Sequence, residues 1–142
     1  MSLYTVLIVD DEEEFRDMTA KRLSKRDLDC DRAPDGDTAL AMIAEKNYDV
    51  VLLDVKMPGK DGIETLREIK RMAPMTEVVM LTGHASVESG INGIKFGAFD
   101  YLMKPMELDP LFEKLNAAYA RKREQQTKIE MAQIKKDMTR PS

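Results

Sequence analysis

The sequence predicts a doubly wound α/β domain, a five-stranded parallel sheet with helices on both faces, continued by an extended C-terminal helix. Three observations carry this. Short apolar or β-branched runs alternate with stretches of helical periodicity from Thr5 to Tyr119. Two of those runs, VLIV and VVLL, are apolar throughout, as parallel strands buried on both faces require. The connections are short, and right-handed crossovers then distribute the helices over both sides of the sheet.

The elements follow in order. A first strand from Thr5 to Val9 leads into a helix whose apolar side reads Phe15, Met18 and Leu23. A second strand, Asp29 to Ala33, precedes a helix carrying Leu40, Ile43 and Ala44. The third strand, Val50 to Leu53, is followed by the rigid turn Met57-Pro58-Gly59. Asp61-Gly62 then opens a helix with Ile63, Leu66, Ile69 and Ala73 on one side. After a fourth strand, Glu77 to Leu81, a short helix from about Ser86 to Phe96 presents Val87, Ile91 and Ile94 to the sheet, with Gly90 and Gly93 weakening its interior. Phe99 to Leu102 forms the fifth strand, and Leu108, Leu111, Phe112 and Leu115 mark the fifth helix.

Beyond Ala120 the chain reads RKREQQTKIEMAQIKKDMTRPS, free of helix breakers until Pro141, so the last helix is expected to run on. Residues 4–120 are read as the domain and 121–142 as a charged helical extension or linker. Leu111, Leu115, Ala118, Lys122, Gln125, Ile129 and Ala132 follow 3-4 spacing, but Lys122 and Gln125 interrupt the seam. A solvated extension and a homodimeric coiled coil are the two readings of it.

Composition excludes several function classes. At 142 residues the chain can bury a core without staples. No apolar run approaches the roughly 20 residues of a membrane span, and nothing at the start resembles an export signal, so a cytoplasmic protein without membrane contact is expected. One cysteine, Cys30, and one histidine, His84, rule out a structural zinc site and an internal disulfide; Cys30 is read as core filling. The net charge of −4 argues against a basic nucleic-acid-binding surface. No GxxxxGK[ST] loop occurs, which removes P-loop nucleotide hydrolases.

Chemistry in such a fold belongs at the carboxyl ends of the strands. Asp10-Asp11-Glu12 follows the first buried strand and Asp54 follows the third. Taken alone, the first acids could simply cap the next helix. If the two strands are neighbours, however, three carboxylates converge, which is costly unless a cation neutralises them. A hard divalent ion fits, Mg²⁺ above all, because it keeps water positions that a phosphate oxygen can replace. Thr82 follows the fourth strand and Lys104 the fifth, adding a hydroxyl and an ammonium to the same edge. Together these supply a carboxylate nucleophile, a metal and two donors for phosphoryl oxygens.

At this point LIVDDE, LLDVKMPGKDG, LTGHAS and FDYLMKP, in this order and on these strands, resemble the response-regulator receiver family. The resemblance covers about Tyr4 to Tyr119, and VKMPGKDG, TGHAS and GAFDYLMKP are most similar to receivers of nitrogen-regulation-type, sigma-54-dependent activators. It implies a flavodoxin-like sheet of order 2-1-3-4-5 and Asp54 as phosphoacceptor. It further implies metal binding by Asp11, Asp54 and the Lys56 carbonyl, with Asp10 acting partly through water. Thr82 and Lys104 would contact the phosphoryl group, and Tyr101, with Thr82, would form the switch. Tyr101 reads equally as an ordinary half-exposed strand aromatic. Lys104-Pro105 is a candidate cis bond, with trans the alternative. His84 is either a plain loop residue or a neighbour of Tyr101 or of the hydrolytic water.

The function expected is a phosphorylation-dependent signalling switch, not an enzyme beyond its own phosphotransfer and autodephosphorylation. A sensor histidine kinase or phosphotransfer protein would charge Asp54. The face of the fourth helix, fifth strand and fifth helix would then change and control an output domain or protein. One rival is an aspartyl-phosphate phosphatase, which would want Asp-x-Asp where Asp54-Val55-Lys56 stands. The other is an interaction module that uses the fold without phosphorylation.

Overall fold

The computed structural model describes residues 2–56, 61–83 and 87–139, apart from the side chains of 87–90. Five strands, β1 (Thr5–Val9), β2 (Asp29–Ala33), β3 (Val50–Asp54), β4 (Glu77–Thr82) and β5 (Asp100–Met103), alternate with α1 (Glu13–Ser24), α2 (Gly36–Glu45), α3 (Gly62–Met72), α4 (Val87–Lys95) and α5 (Leu108–Met138). All pairings are parallel and the order is β2-β1-β3-β4-β5. Asp54 and Thr82 are the last residues of their strands rather than the first beyond them, and β5 begins one residue later than Phe99. The predicted Met57-Pro58-Gly59 turn, His84 and Ser86, and the side chains of Val87 and Gly90, lie outside the described residues.

The centre of the sheet forms because every residue of VLIV and VVLL is fully buried. Successive side chains in a strand point to opposite faces, so Val6 and Ile8 pack with Leu23, Leu111 and Leu115 on the side of α1 and α5. Leu7 and Val9 pack with Ala39, Ile43, Leu66 and Ile69 on the side of α2 and α3. The helical faces rotate slightly from the expected ones. Thr19, Ala20 and Leu23 are the buried residues of α1, while Met18 stays 47% exposed. In α2 the buried line is Gly36, Ala39 and Ile43, with Ala44 outside.

The larger correction concerns α4. Ile91 and Ile94 do not anchor it, being 46% and 43% exposed. The buried residue of its described interior is Gly93, whose missing side chain leaves room for Met80 of β4, 3.1 Å from where a Cβ would stand. The helix thus approaches the sheet through a glycine and turns its isoleucines outward. It closes with a left-handed Gly97, φ 109°, and backbone bonds from Ala98 to Gly93 and from Gly97 to Ile94 that satisfy its last carbonyls.

The fifth helix does run on, over 31 residues. Leu111, Leu115 and Ala118, the first positions of the proposed coiled-coil seam, are buried against the helix's own sheet, so that seam is not free for a second helix there. None of the helices among the described residues is long and apolar enough to cross a membrane.

Candidate functional site

At the carboxyl edge of the sheet, the β1–β3 pairing brings Val9 opposite Leu53, so Asp10 and Asp54, each next in its chain, arrive side by side. Asp10, Asp11 and Asp54 each offer a carboxylate oxygen within 4.8 Å of the others. Asp10 is fully buried, Asp54 is 7% exposed, and Asp11 faces solvent. Three acids in this arrangement are what the sequence pattern anticipates, and oxygen-rich donors of this kind suit a small hard cation.

The neighbours tie the acids down. The Glu12 amide donates to Asp10 Oδ1 at 2.9 Å, and the Lys56 amide donates to Asp54 Oδ1 at 3.2 Å. Arg16 donates to the Asp10 carbonyl at 2.8 Å from the first turns of α1. Gly62 fixes α3 directly against this edge, because a Cβ there would stand 2.6 Å from Val55 Cα and 2.7 Å from the carbonyl oxygen of Asp54.

Lys104 follows β5 and reaches back across the edge. Its Nζ lies 2.7 Å from Asp10 Oδ2, 3.5 Å from Asp54 Oδ2 and 3.4 Å from Glu12 Oε1. The Lys104-Pro105 bond is cis, one of the two expected alternatives. Thr82 is fully buried; its carbonyl accepts from the Lys104 amide at 2.7 Å and its hydroxyl makes a long 3.5 Å contact with the Leu102 carbonyl. Met80 pairs with Tyr101 and Thr82 with Met103, so Thr82 lies two register positions along from Tyr101 on the neighbouring strand, and Tyr101 packs partly buried on the α2–α3 side.

Electrostatics single out Asp54. Burial pushes its carboxyl up to about 6, and the Asp10 charge adds to this, while Lys104 and the Lys56 amide oppose it. For Lys104, burial alone would lower the pKa, but the bond to Asp10 and the charges of Asp54 and Asp10 outweigh it and raise it. The pocket therefore holds more negative charge than its one ammonium balances, which favours a divalent cation beside Asp54.

The strand-end residues Asp10, Asp11, Asp54, Thr82 and Lys104 are brought to one edge, as sequence reasoning expects. Arg16 goes unremarked in the sequence, and Phe15 is expected there only as part of the apolar side of its helix. The Lys104 ammonium sits 4.3 Å from the centre of the Phe15 ring, a contact no motif announces. Cys30 is half-buried, its thiol raised to about 11 by burial, in keeping with a packing role.

The family described as "Response regulator receiver domain" matches residues 6–116. The chain is 40% identical over 106 residues to the regulatory protein AtoC of Escherichia coli, covering 75% of this chain and 23% of that protein. It is 36% identical over 121 residues to the DNA-binding transcriptional regulator NtrC of Salmonella typhimurium, covering 85% and 26% respectively. Among solved structures, NtrX from Brucella abortus superposes with a TM-score of 0.87 at 33% identity, over 92% of this chain and 30% of that one. A response regulator receiver domain protein from Clostridium thermocellum gives 0.82 at 34% identity, over 85% and 98%. The chain spans about a quarter of the length of the curated relatives it matches. With its sheet order, its acidic edge and this match, the chain belongs to the response regulator receiver domain family of two-component systems.

Proposed function

We propose that this receiver accepts a phosphoryl group on Asp54 from a phosphohistidine donor, a sensor histidine kinase or phosphotransfer protein, and changes its signalling surface in response. The observation that carries the reading is the convergence of Asp10, Asp11 and Asp54, with Lys104 Nζ 3.5 Å from Asp54. An Asp54 carboxylate oxygen attacks phosphorus, the phosphorus–nitrogen bond to the donor imidazole breaks, and its electron pair returns to the ring nitrogen. An aspartyl phosphate results. Asp10, Asp11, Asp54 and the Lys56 carbonyl would hold Mg²⁺, which supplies charge neutralisation for the transferring oxygens. Lys104 provides a second positive charge and Thr82 a hydroxyl donor, each delivered by its strand end.

Thr82 and Tyr101 belong to adjacent strands, so a Thr82 hydroxyl drawn towards the phosphoryl group would free space that Tyr101 can fill. Such coupling would bias the face of α4, β5 and α5. The part of α5 beyond Arg121 then acts as a helical connection to an output domain, the arrangement suggested by relatives about four times longer than the matched segment. Autodephosphorylation is the only further catalysis assigned.

Mass spectrometry after incubation with phosphoramidate and Mg²⁺ tests the core of this reading. One added phosphoryl group is expected, lost in Asp54→Asn and absent when Mg²⁺ is chelated. Labelling that survives in Asp54→Asn would overturn the assignment.

A further inference from the structure

Lys104 has a long flexible stem and three acidic neighbours, of which Glu12 is 67% exposed and lies at 3.4 Å, no farther than Asp54 at 3.5 Å. A compact ammonium in that position has every reason to swing outward with Glu12 into water, where it is best hydrated. One aromatic group faces it in the described structure. Phe15, in the first turn of α1, places its ring centre 4.3 Å from Nζ. The ring is itself partly buried against the core on the α1–α5 side. An ammonium over a ring face is attracted by the ring quadrupole, most strongly when desolvated, and the Lys104 side chain is only 19% exposed.

We propose that Phe15 is a positioning residue for phosphoryl transfer, its ring face holding the Lys104 ammonium inside the pocket between Asp10 and Asp54. This rests on the reading of Asp54 as acceptor. Phe15 touches neither phosphoryl group nor metal; it acts through Lys104, by limiting the exposed pairing with Glu12 and keeping the charge within reach of the transferring oxygens. The side chain at position 15 thereby sets the transfer rate, although no strand-end motif includes it.

The test follows the rate of Asp54 phosphorylation by phosphoramidate in the full chain. Phe15→Leu keeps the apolar bulk but not the quadrupole and is expected to slow transfer about three- to tenfold, with Phe15→Tyr restoring the rate. Progressively fluorinated phenylalanines at position 15 keep the shape and drain the ring face of electron density. The logarithm of the rate should fall steadily along that series. A rate that ignores ring fluorination overturns the proposal, whatever Phe15→Leu does. A second measurement stands without any phosphorylation, and so separates failure here from failure of Asp54 as acceptor. The Lys104 side-chain ε protons should show an upfield ring-current shift in wild type that vanishes in Phe15→Leu; its absence in wild type also overturns the proposal.

Discussion

Asp54 is ionised at a price in folding stability when no cation is bound, and the sign can be worked out. Its carboxyl rises from 3.8 to about 6 in the folded protein, first through burial and then through Asp10. Its favourable contribution is therefore present below its unfolded value and is lost as pH rises through about 6. The displacement corresponds to roughly 2–3 kcal/mol of differential interaction. Asp54→Asn should accordingly be more stable than wild type in EDTA at pH 7.5, by about 1–2 kcal/mol, with the gain largely gone at pH 4. Denaturant titrations at the two pH values check this, and equal stability at pH 7.5 contradicts it. Mg²⁺ should stabilise wild type more than Asp54→Asn. At this scale the sequence reading reached Asp10, Asp54, Thr82 and Lys104 because each ends or follows a strand, and strand ends in a parallel sheet share one edge. It did not place Phe15 or Arg16 at the site, because their placement depends on how α1 is rotated on the sheet, which apolar periodicity fixes only to within a residue or so.

Glycines decide two of the element packings, with different consequences. Gly62 meets only backbone, at 2.6–2.8 Å from Val55 and Asp54, so an alanine there must move α3 or the backbone of Asp54 and Val55. Gly62→Ala should destabilise the fold by about 1–3 kcal/mol and lower phosphorylation at the same time, since the displaced backbone carries Asp54. Denaturation midpoints and labelling of the same variant measure both. Gly93 meets the flexible Met80 side chain instead, so Gly93→Ala should give less than the roughly 1 kcal/mol that helix propensity alone predicts. The strand pattern was legible almost to the residue because buried runs are continuous. The α4 face was not: Ile91 and Ile94 have helical spacing with the right period, but a period does not say which side faces the sheet, and a glycine at the contact leaves no apolar mark. With its isoleucines outward, α4 has few buried side chains among its described residues to hold it. Its amides are expected to exchange fastest among the five helices up to Ala118 in the unphosphorylated protein, and to gain protection with beryllofluoride and Mg²⁺. Slow exchange that the mimic leaves unchanged would place the switch elsewhere.

At the scale of the whole molecule, α5 divides where its contacts stop. Tyr4 stacks on Tyr119 with ring centres 4.4 Å apart and donates to Asn116 at 2.6 Å. Arg121 pairs with the buried Glu77 at 3.6 Å, and Lys122 pairs with Asp49, which also accepts from the Thr5 amide at 2.9 Å. Burial alone would raise the Asp49 carboxyl, but Lys122 and Thr5 outweigh it and hold it below its ordinary value. That pairing therefore contributes stability above the ordinary carboxylate range and loses it as pH falls through the depressed value. From Arg123 to Thr139 every residue is exposed, including Ile129, Met131, Ile134 and Met138 at 55–81%. An isolated helix of that length is marginal in water without tertiary packing. The extension should thus add almost nothing to the folding of the domain, whereas the clamp before it should matter. Removing residues 124–142 is expected to change the folding free energy by less than about 0.5 kcal/mol. Lys122→Ala, which leaves Asp49 short of its cation, should cost about 1 kcal/mol near neutral pH and progressively less in acid. Urea titrations of both variants at several protein concentrations decide the matter. A truncation that destabilises by more than Lys122→Ala does, with a wild-type midpoint that rises with concentration, would mean instead that the exposed isoleucines and methionines are covered by a second chain.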